Sequence, residues 1–256
     1  MLSYAQNRED VLLARALSSV KNGFYVDVGA NDPVHDSVTK HFYDQGWSGI
    51  NIEASPTWFA KLQEQRPKDL NLNLAASDQN GELTFHEIEG TGLSTSIDEF
   101  ADRGAQRGFN KTSYTVKART LNSIIEEHAQ GKDIHFLKID VEGAEKAVLD
   151  GIDLHRYRPW IIVVEATEPL SAVQTHEAWD ALITGRGYGF MVFDGLNRWY
   201  LSDERVELKP FLSSPADEYE WVGNLWTRGY LQSELDKAKA ELQRVKAALA
   251  DLSGTI

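Results

Sequence analysis

Five short apolar runs, beginning at Phe24, Gly49, Leu70, Ile134 and Pro159, alternate with stretches of helical character along the chain. Runs of this length bounded by turn residues read as buried strands, and their alternation with helices dictates a largely parallel sheet with helices on both faces. In open sheets of this kind ligands sit beyond the carboxyl ends of the strands, so the residues that end each run become the candidates for chemistry. The first run supplies Asp27 and Asn31, the second Glu53, the third Ser77 and Asp78, the fourth Asp140 and Glu142, and the fifth Glu165. An acid at a strand end also caps a following helix, and that reading is strongest for Glu142 and Asp78. Five such ends on one rim favour a site.

Between the runs, helices are expected over residues 35–44, 56–65, 144–149 and 176–184. Another runs to His128, with Thr120 as its N-cap. Residues 82–88 alternate in polarity as an edge strand does, and 114–118 form a further short strand. Residues 188–193 and 198–201 form a hairpin around Asp194-Gly195-Leu196-Asn197. Residues 90–113 show no clear period, and a loop of that length in a compact domain is functional or mobile.

The first strand ends in Asp27-Val28-Gly29-Ala30-Asn31, a turn with one glycine. Cofactors bound through a pyrophosphate need Gly-x-Gly-x-x-Gly for close backbone approach; here Asn31 stands at the second glycine position and no third follows. The loop therefore suits a cofactor without phosphates, such as S-adenosylmethionine. Gly29 would let the backbone approach its amino-acid end, and Asn31 would offer an amide. The plainer alternative is that Gly29 only makes a tight turn capped by Asp27. Glu53 lies 20-odd residues downstream, where a carboxylate accepts hydrogen bonds from ribose hydroxyls. Asp78 is placed for an adenine amino group, with Ser77 in support.

Methyl transfer to a hydroxyl needs alignment behind the methyl group and removal of a proton. Asp140 and Glu165, on adjacent strands, can hold a divalent cation such as Mg²⁺, or one of them, or His176, can act as a general base. Trp179, Trp199 and Tyr200 are core residues before they are sugar-stacking platforms.

With 26 basic against 39 acidic residues, the net charge of −13 disfavours nucleic acid and anionic lipid as partners. There is no cysteine, hence no disulfide or thiolate chemistry. The first ten residues lack the basic-then-apolar layout of a secretion signal, and no apolar run is long enough to span a membrane, so a cytoplasmic protein is expected. Leu231, Leu235, Ala238, Leu242, Val245, Leu249 and Leu252 follow four-three spacing, flanked by Glu234, Glu241, Lys239 and Lys246. Residues 229–256 are therefore expected to begin a coiled coil that makes a homo-oligomer of the 1–228 domain, the alternative being an amphipathic helix folded back on that domain.

Three motifs occur in order: Ser3-Tyr4-Ala5-Gln6-Asn7-x-Glu9-Asp10, Tyr25-Val26-Asp27-Val28-Gly29-Ala30-Asn31-Asp32-Pro33 and Leu137-Lys138-Ile139-Asp140-Val141-Glu142-Gly143-Ala144-Glu145. Together with Gly92-Leu93-Ser94-Thr95, His176-Glu177-Ala178-Trp179 and Phe193-Asp194-Gly195-Leu196-Asn197-Arg198, they resemble FkbM-family S-adenosylmethionine-dependent methyltransferases over residues 1–228. The resemblance implies a class I, Rossmann-like seven-stranded sheet and O-methylation of a sugar or polyketide hydroxyl. Members with this opening are similar to enzymes of bacterial surface polysaccharide, such as O-antigen or capsule, which makes a carbohydrate the expected acceptor. The family commonly has glycine soon after the loop asparagine, where this chain has Asp32-Pro33. Two rivals are a nicotinamide-dependent sugar oxidoreductase, which would need the missing glycines, and a non-catalytic cofactor-binding module that assembles through the coil.

Overall fold

The computed structural model describes residues 1–216 together with Lys239 and Leu242. The chain begins with α1 (Glu9–Ala16), β1 (Phe24–Val28), α2 (Lys40–Asp44), β2 (Ser48–Ile52), α3 (Pro56–Gln65), β3 (Leu70–Leu72), β4 (Ala75–Ala76) and β5 (Gly81–Ile88). It continues through α4 (Asp98–Gln106), β6 (Lys111–Arg119), α5 (Leu121–His128), β7 (Phe136–Ile139) and α6 (Glu145–Asp150). The last elements are β8 (Ile161–Glu165), α7 (Asp180–Thr184), β9 (Tyr188–Phe193) and β10 (Asn197–Ser202). Short 3₁₀ segments cover His176–Ala178 and Asp203–Phe211.

Seven strands form a mixed sheet in the order β3-β2-β1-β7-β8-β10-β9, and β4, β6 and β5 form a separate small sheet. The strands from β3 to β8 in that order are parallel, while β10 runs antiparallel to both its neighbours. Each central strand is buried on both faces, and its alternate side chains enter different cores, as the twofold period of a strand requires. Val26, Val28, Ile50, Ile52, Leu137 and Ile139 pack with α5 and α6, whereas Tyr25, Phe136, Ile161 and Val163 pack with α1 and Trp47 on the opposite face. From β1 the chain moves outward to β2 and β3, and then returns to place β7 and β8 on the other side. The order therefore reverses between β1 and β7, and that reversal opens a crevice at their carboxyl ends.

The opening motif is explained by its anchoring to the far end of the sheet. The Ser3 hydroxyl and the Tyr4 N–H donate to Asp10. The Asn7 N–H donates to Glu9, whose other oxygen accepts from Asn197 Nδ2. Asp194, in the β9–β10 turn, accepts from Trp199 Nε1 and from two backbone amides of its own turn. The first ten residues are thereby tied to the β9–β10 hairpin, and Gln6 comes to the rim.

Several elements differ from their expected extents. The helix expected over residues 35–44 starts only at Lys40, because Asp32 accepts the Val34 and His35 N–H groups in a tight turn and Asp36 takes a left-handed backbone. The single strand expected over 70–76 is two, and β4 leaves the large sheet to pair with β6. The stretch without period holds α4, whose buried positions include the small residues Ala101 and Gly104. Residues 176–184 divide into a 3₁₀ turn and α7. No helix among the described residues is long and apolar enough to cross a membrane. Apart from Lys239 and Leu242, the heptad seam and the coiled coil expected from it lie outside the described residues.

Candidate functional site

A cleft of about 210 Å³ opens at the carboxyl ends of β1, β2 and β7, at the topological switch. Gly29, Ala30 and Asn31 of the β1 turn line it together with Glu53, and Ile52, Leu74, Phe85 and Trp58 supply its apolar lining. Lys138, Asp140 and Glu142 line it beside that turn, on the β7 side.

The turn after β1 is held by the strand beside it. Glu53 accepts the Asn31 N–H at 2.8 Å on one oxygen and the Ser55 N–H at 2.7 Å on the other. Glu53 is 6% exposed, and burial raises its pKa to about 7 despite these two bonds. Asn31 has φ +50°, and its side-chain oxygen is buried with no partner among the described residues. Gly29 has φ +76°, and a Cβ placed on it would overlap the Asp140 carbonyl oxygen. Glycine is thus required here by the approach of the β7 loop, whatever a ligand also requires.

Asp27 does not reach into the cleft. It sits in register beside Lys138 of β7, and both are buried. Lys138 Nζ donates to the Gly29 carbonyl at 2.9 Å and lies 3.5 Å from Asp27 and 3.3 Å from Asp140. Burial disfavours the lysine charge, but Asp140 and Asp27 outweigh it and hold its pKa above the usual lysine range. Thr39 donates to Asp27 and accepts from Arg66, a buried guanidinium that also bonds Asp69 and the Tyr25 hydroxyl. A polar chain therefore runs beneath the turn from Arg66 to Asp140.

At the β7–β8 edge the carboxylates crowd. One oxygen each from Asp140, Glu142 and Glu165 lies within 4.8 Å of the others. Glu142 and Glu165 are 9% and 7% exposed, and each has a buried oxygen with no hydrogen-bond donor. Burial first and then repulsion from Asp140 push both well above the ordinary carboxylate range. Glu142 adopts φ +53°, with its carbonyl held by the Thr95 hydroxyl. Beyond it, a Cβ on Gly143 would overlap the Phe100 ring, so α4 is seated directly on this loop. Glu145 accepts the Val141 and Gly143 N–H groups, which fixes the loop from below.

The candidates thus divide. Gly29, Asn31, Glu53 and Asp140 line the cleft, and Glu165 stands behind Asp140. The lining ends with Ala75 and Ala76 of β4; Ser77 and Asp78, the next two residues, are outside it, and the Ser77 hydroxyl donates to Asp78 at the surface. His176 is in the 3₁₀ turn after β8, away from the lining, with Nδ1 buried and unpartnered among the described residues. Trp179, Trp199 and Tyr200 are core, as expected. Lys138, Trp58, Phe85, Gln6 and Asp36 were not singled out from the sequence, yet all line the cleft. For Lys138 a signal existed, since a lone cation inside an apolar run two residues before an acid demands a buried partner. Trp58 and Phe85 carry no such signal, because their positions follow from how α3 and β5 fold over the rim.

The sequence model of the methyltransferase FkbM domain matches residues 27–190, more than half of the chain. Among solved structures, methyltransferase FkbM from Methylobacillus flagellatus KT superposes at a TM-score of 0.42 with 15% identity, covering 71% of this chain and 43% of that one. The chain therefore spans less than half the length of that protein. A TehB-like SAM-dependent methyltransferase from Corynebacterium glutamicum superposes at 0.39 with 9% identity, covering 75% of this chain and 87% of its own. No curated protein matches the chain. The family match spans β1 to β9 and so takes in the rim and its acids, and on that match the chain belongs to the FkbM methyltransferase family.

Proposed function

We propose that the protein is an S-adenosylmethionine-dependent O-methyltransferase acting in the cytoplasm on a sugar hydroxyl, in the assembly of a bacterial surface polysaccharide. The observation that carries the reading is the composition of the cleft: a one-glycine turn with the buried carboxylate of Glu53 on its β2 side, Asp140 and Glu142 on its β7 side, and an apolar lining of Ile52, Leu74, Phe85 and Trp58. The unpartnered Asn31 oxygen fits an amino-acid end, and Glu53 has acceptor capacity left for ribose hydroxyls. Trp58, Leu74 and Phe85 form a slot for adenine, with Ser77 and Asp78 at a distance as outer support. When bound, the cofactor supplies an electrophilic methyl group on sulfur.

In this reading Asp140, facing the cleft, accepts the proton of the acceptor hydroxyl. Glu165, whose carboxylate lies within 4.8 Å of Asp140's, is close enough to share that proton. The other design has Asp140 and Glu165, joined by Glu142, hold a divalent cation such as Mg²⁺, since three carboxylate oxygens in this space suit a hard ion. His176 is the reserve base. The sugar rests on the motif resemblance, as does the polysaccharide. The dinucleotide alternative still lacks its glycines. Homo-oligomerisation through residues 229–256 belongs to the same proposal. Light scattering checks it: Leu242→Glu should lower the mass, whereas equal masses for variant and wild type would discard it.

The test is transfer of labelled methyl from S-adenosylmethionine to a panel of monosaccharides and polysaccharide fractions, with NAD as the competing cofactor. Label in a sugar, absent with Asp140→Asn, supports the reading. Activity that survives EDTA and gains nothing from Mg²⁺ removes the metal design.

A further inference from the structure

A second cavity, of about 280 Å³, adjoins the cleft and shares Leu93 with it as a common wall. Its floor includes Phe100, the ring seated on Gly143 next to the acids. Its outer wall is the segment 168–171, which begins three residues after Glu165. It therefore lies on the β8 side of the rim, across the acids from the one-glycine turn. A cofactor held at that turn leaves this side for the acceptor.

The charged residues lining it are Arg103, Arg107 and Glu168, a net positive set in a chain of net charge −13. Arg103 donates to Glu168 at 2.8 Å and to Glu99 at 2.6 Å, so its charge is answered. Arg107, the C-cap residue just past α4, has a guanidinium with no hydrogen bond or ion pair among the described residues. A single uncompensated guanidinium thus lines a cavity that is joined through Leu93 to the cleft of Asp140 and Glu142. That polarity orients a ligand: an anionic group is repelled from Asp140, Glu142 and Glu165 and attracted to Arg107, while a neutral hydroxyl is accepted at the acids. A guanidinium also matches carboxylate and phosphate oxygens with paired N–H donors.

We infer that the second cavity binds the far end of the acceptor and that this acceptor is a sugar carrying an anionic group, a carboxylate or a phosphate, read by Arg107. The inference rests on the methyltransferase reading for the word acceptor alone, because the anion preference is measured without cofactor.

The test titrates the full-length protein with glucuronate, glucose 6-phosphate and glucose at fixed ionic strength, by ligand-observed NMR or calorimetry. At least one anionic sugar should bind about tenfold or more tightly than glucose, the scale of one hydrogen bond to a charged group. Which of the two leads separates a uronic acid from a sugar phosphate. The preference should shrink with added salt, vanish in Arg107→Gln and persist in part in Arg107→Lys. S-adenosylhomocysteine affinity should be the same in all three proteins. If glucose binds as well as both anionic sugars, or if Arg107→Gln keeps the preference, the inference is overturned. Wild-type protein that shows the anion preference but no S-adenosylhomocysteine binding would count against the methyltransferase reading and leave the anion site standing.

Discussion

The two sides of the cleft use the same residue type in opposite ways. Glu53, on the β2 side, is buried with a backbone N–H on each oxygen, and it holds the β1 turn in place. Glu142 and Glu165, on the β7–β8 side, are equally buried, yet each keeps an oxygen without a donor and faces other acids. A carboxylate answered by amides is part of a scaffold, while a carboxylate answered by nothing is poised to take a proton or a cation. Gly29 joins the two sides, since the Asp140 carbonyl occupies the space its Cβ would need.

The largest expected effect breaks the comparison on its reactive side. Asp140→Asn should lower methyl transfer by about 10²–10⁴-fold, the contribution of a positioned base, with S-adenosylhomocysteine affinity unchanged. Glu165→Gln should lower transfer too, but raise thermal stability at pH 8 because it removes a crowded, buried charge. A Glu165→Gln protein that melts lower than wild type would show that the orphaned oxygen is structurally satisfied after all.

Next in size is Gly29→Ala. The overlap with the Asp140 carbonyl and the left-handed backbone together should cost about 3 kcal/mol, read by denaturant unfolding. A loss under about 1 kcal/mol would mean that the two loops move independently.

The pH dependence sharpens the scaffold side. Glu9 and Glu53 are raised by burial from 4.5 to about 7. Between those values the folded protein binds more protons than the unfolded chain, so stability should fall as pH rises from about 4.5 to about 7. Each group contributes at most about 3 kcal/mol. Glu9→Gln should flatten part of the slope, and an unchanged slope would place the titration elsewhere.

The legibility of the chain followed the same division. Strand positions were readable because burial on both faces leaves near-continuous apolar runs, and Glu53 was readable because it ends one. The break between β3 and β4 was not, since Leu70-Asn71-Leu72-Asn73-Leu74-Ala75-Ala76 carries no turn residue pair and only the pairing of Ala75 and Ala76 with β6 separates them. Ser77 and Asp78 stand just past the last lining residue, Ala76, which strand ends counted along the sequence do not reveal. Helix α4 was hidden because its buried positions are Ala101 and Gly104, too small to mark a period. The crowding of Glu142 with Glu165 depends on a left-handed backbone at Glu142, which the sequence does not advertise. The smallest predicted effect belongs here: Asp78→Asn should change S-adenosylhomocysteine affinity by no more than about 0.5 kcal/mol, within the range of a surface substitution.

The central claim is that Glu53 holds a nucleoside on the scaffold side of the cleft. Calorimetry of S-adenosylhomocysteine on the full-length protein and on Glu53→Ala tests it most directly. The account predicts one site per chain in the wild type and an affinity lower by about 1.5–3 kcal/mol in a variant that remains folded. No binding by the wild type, or equal binding by the two, would contradict it.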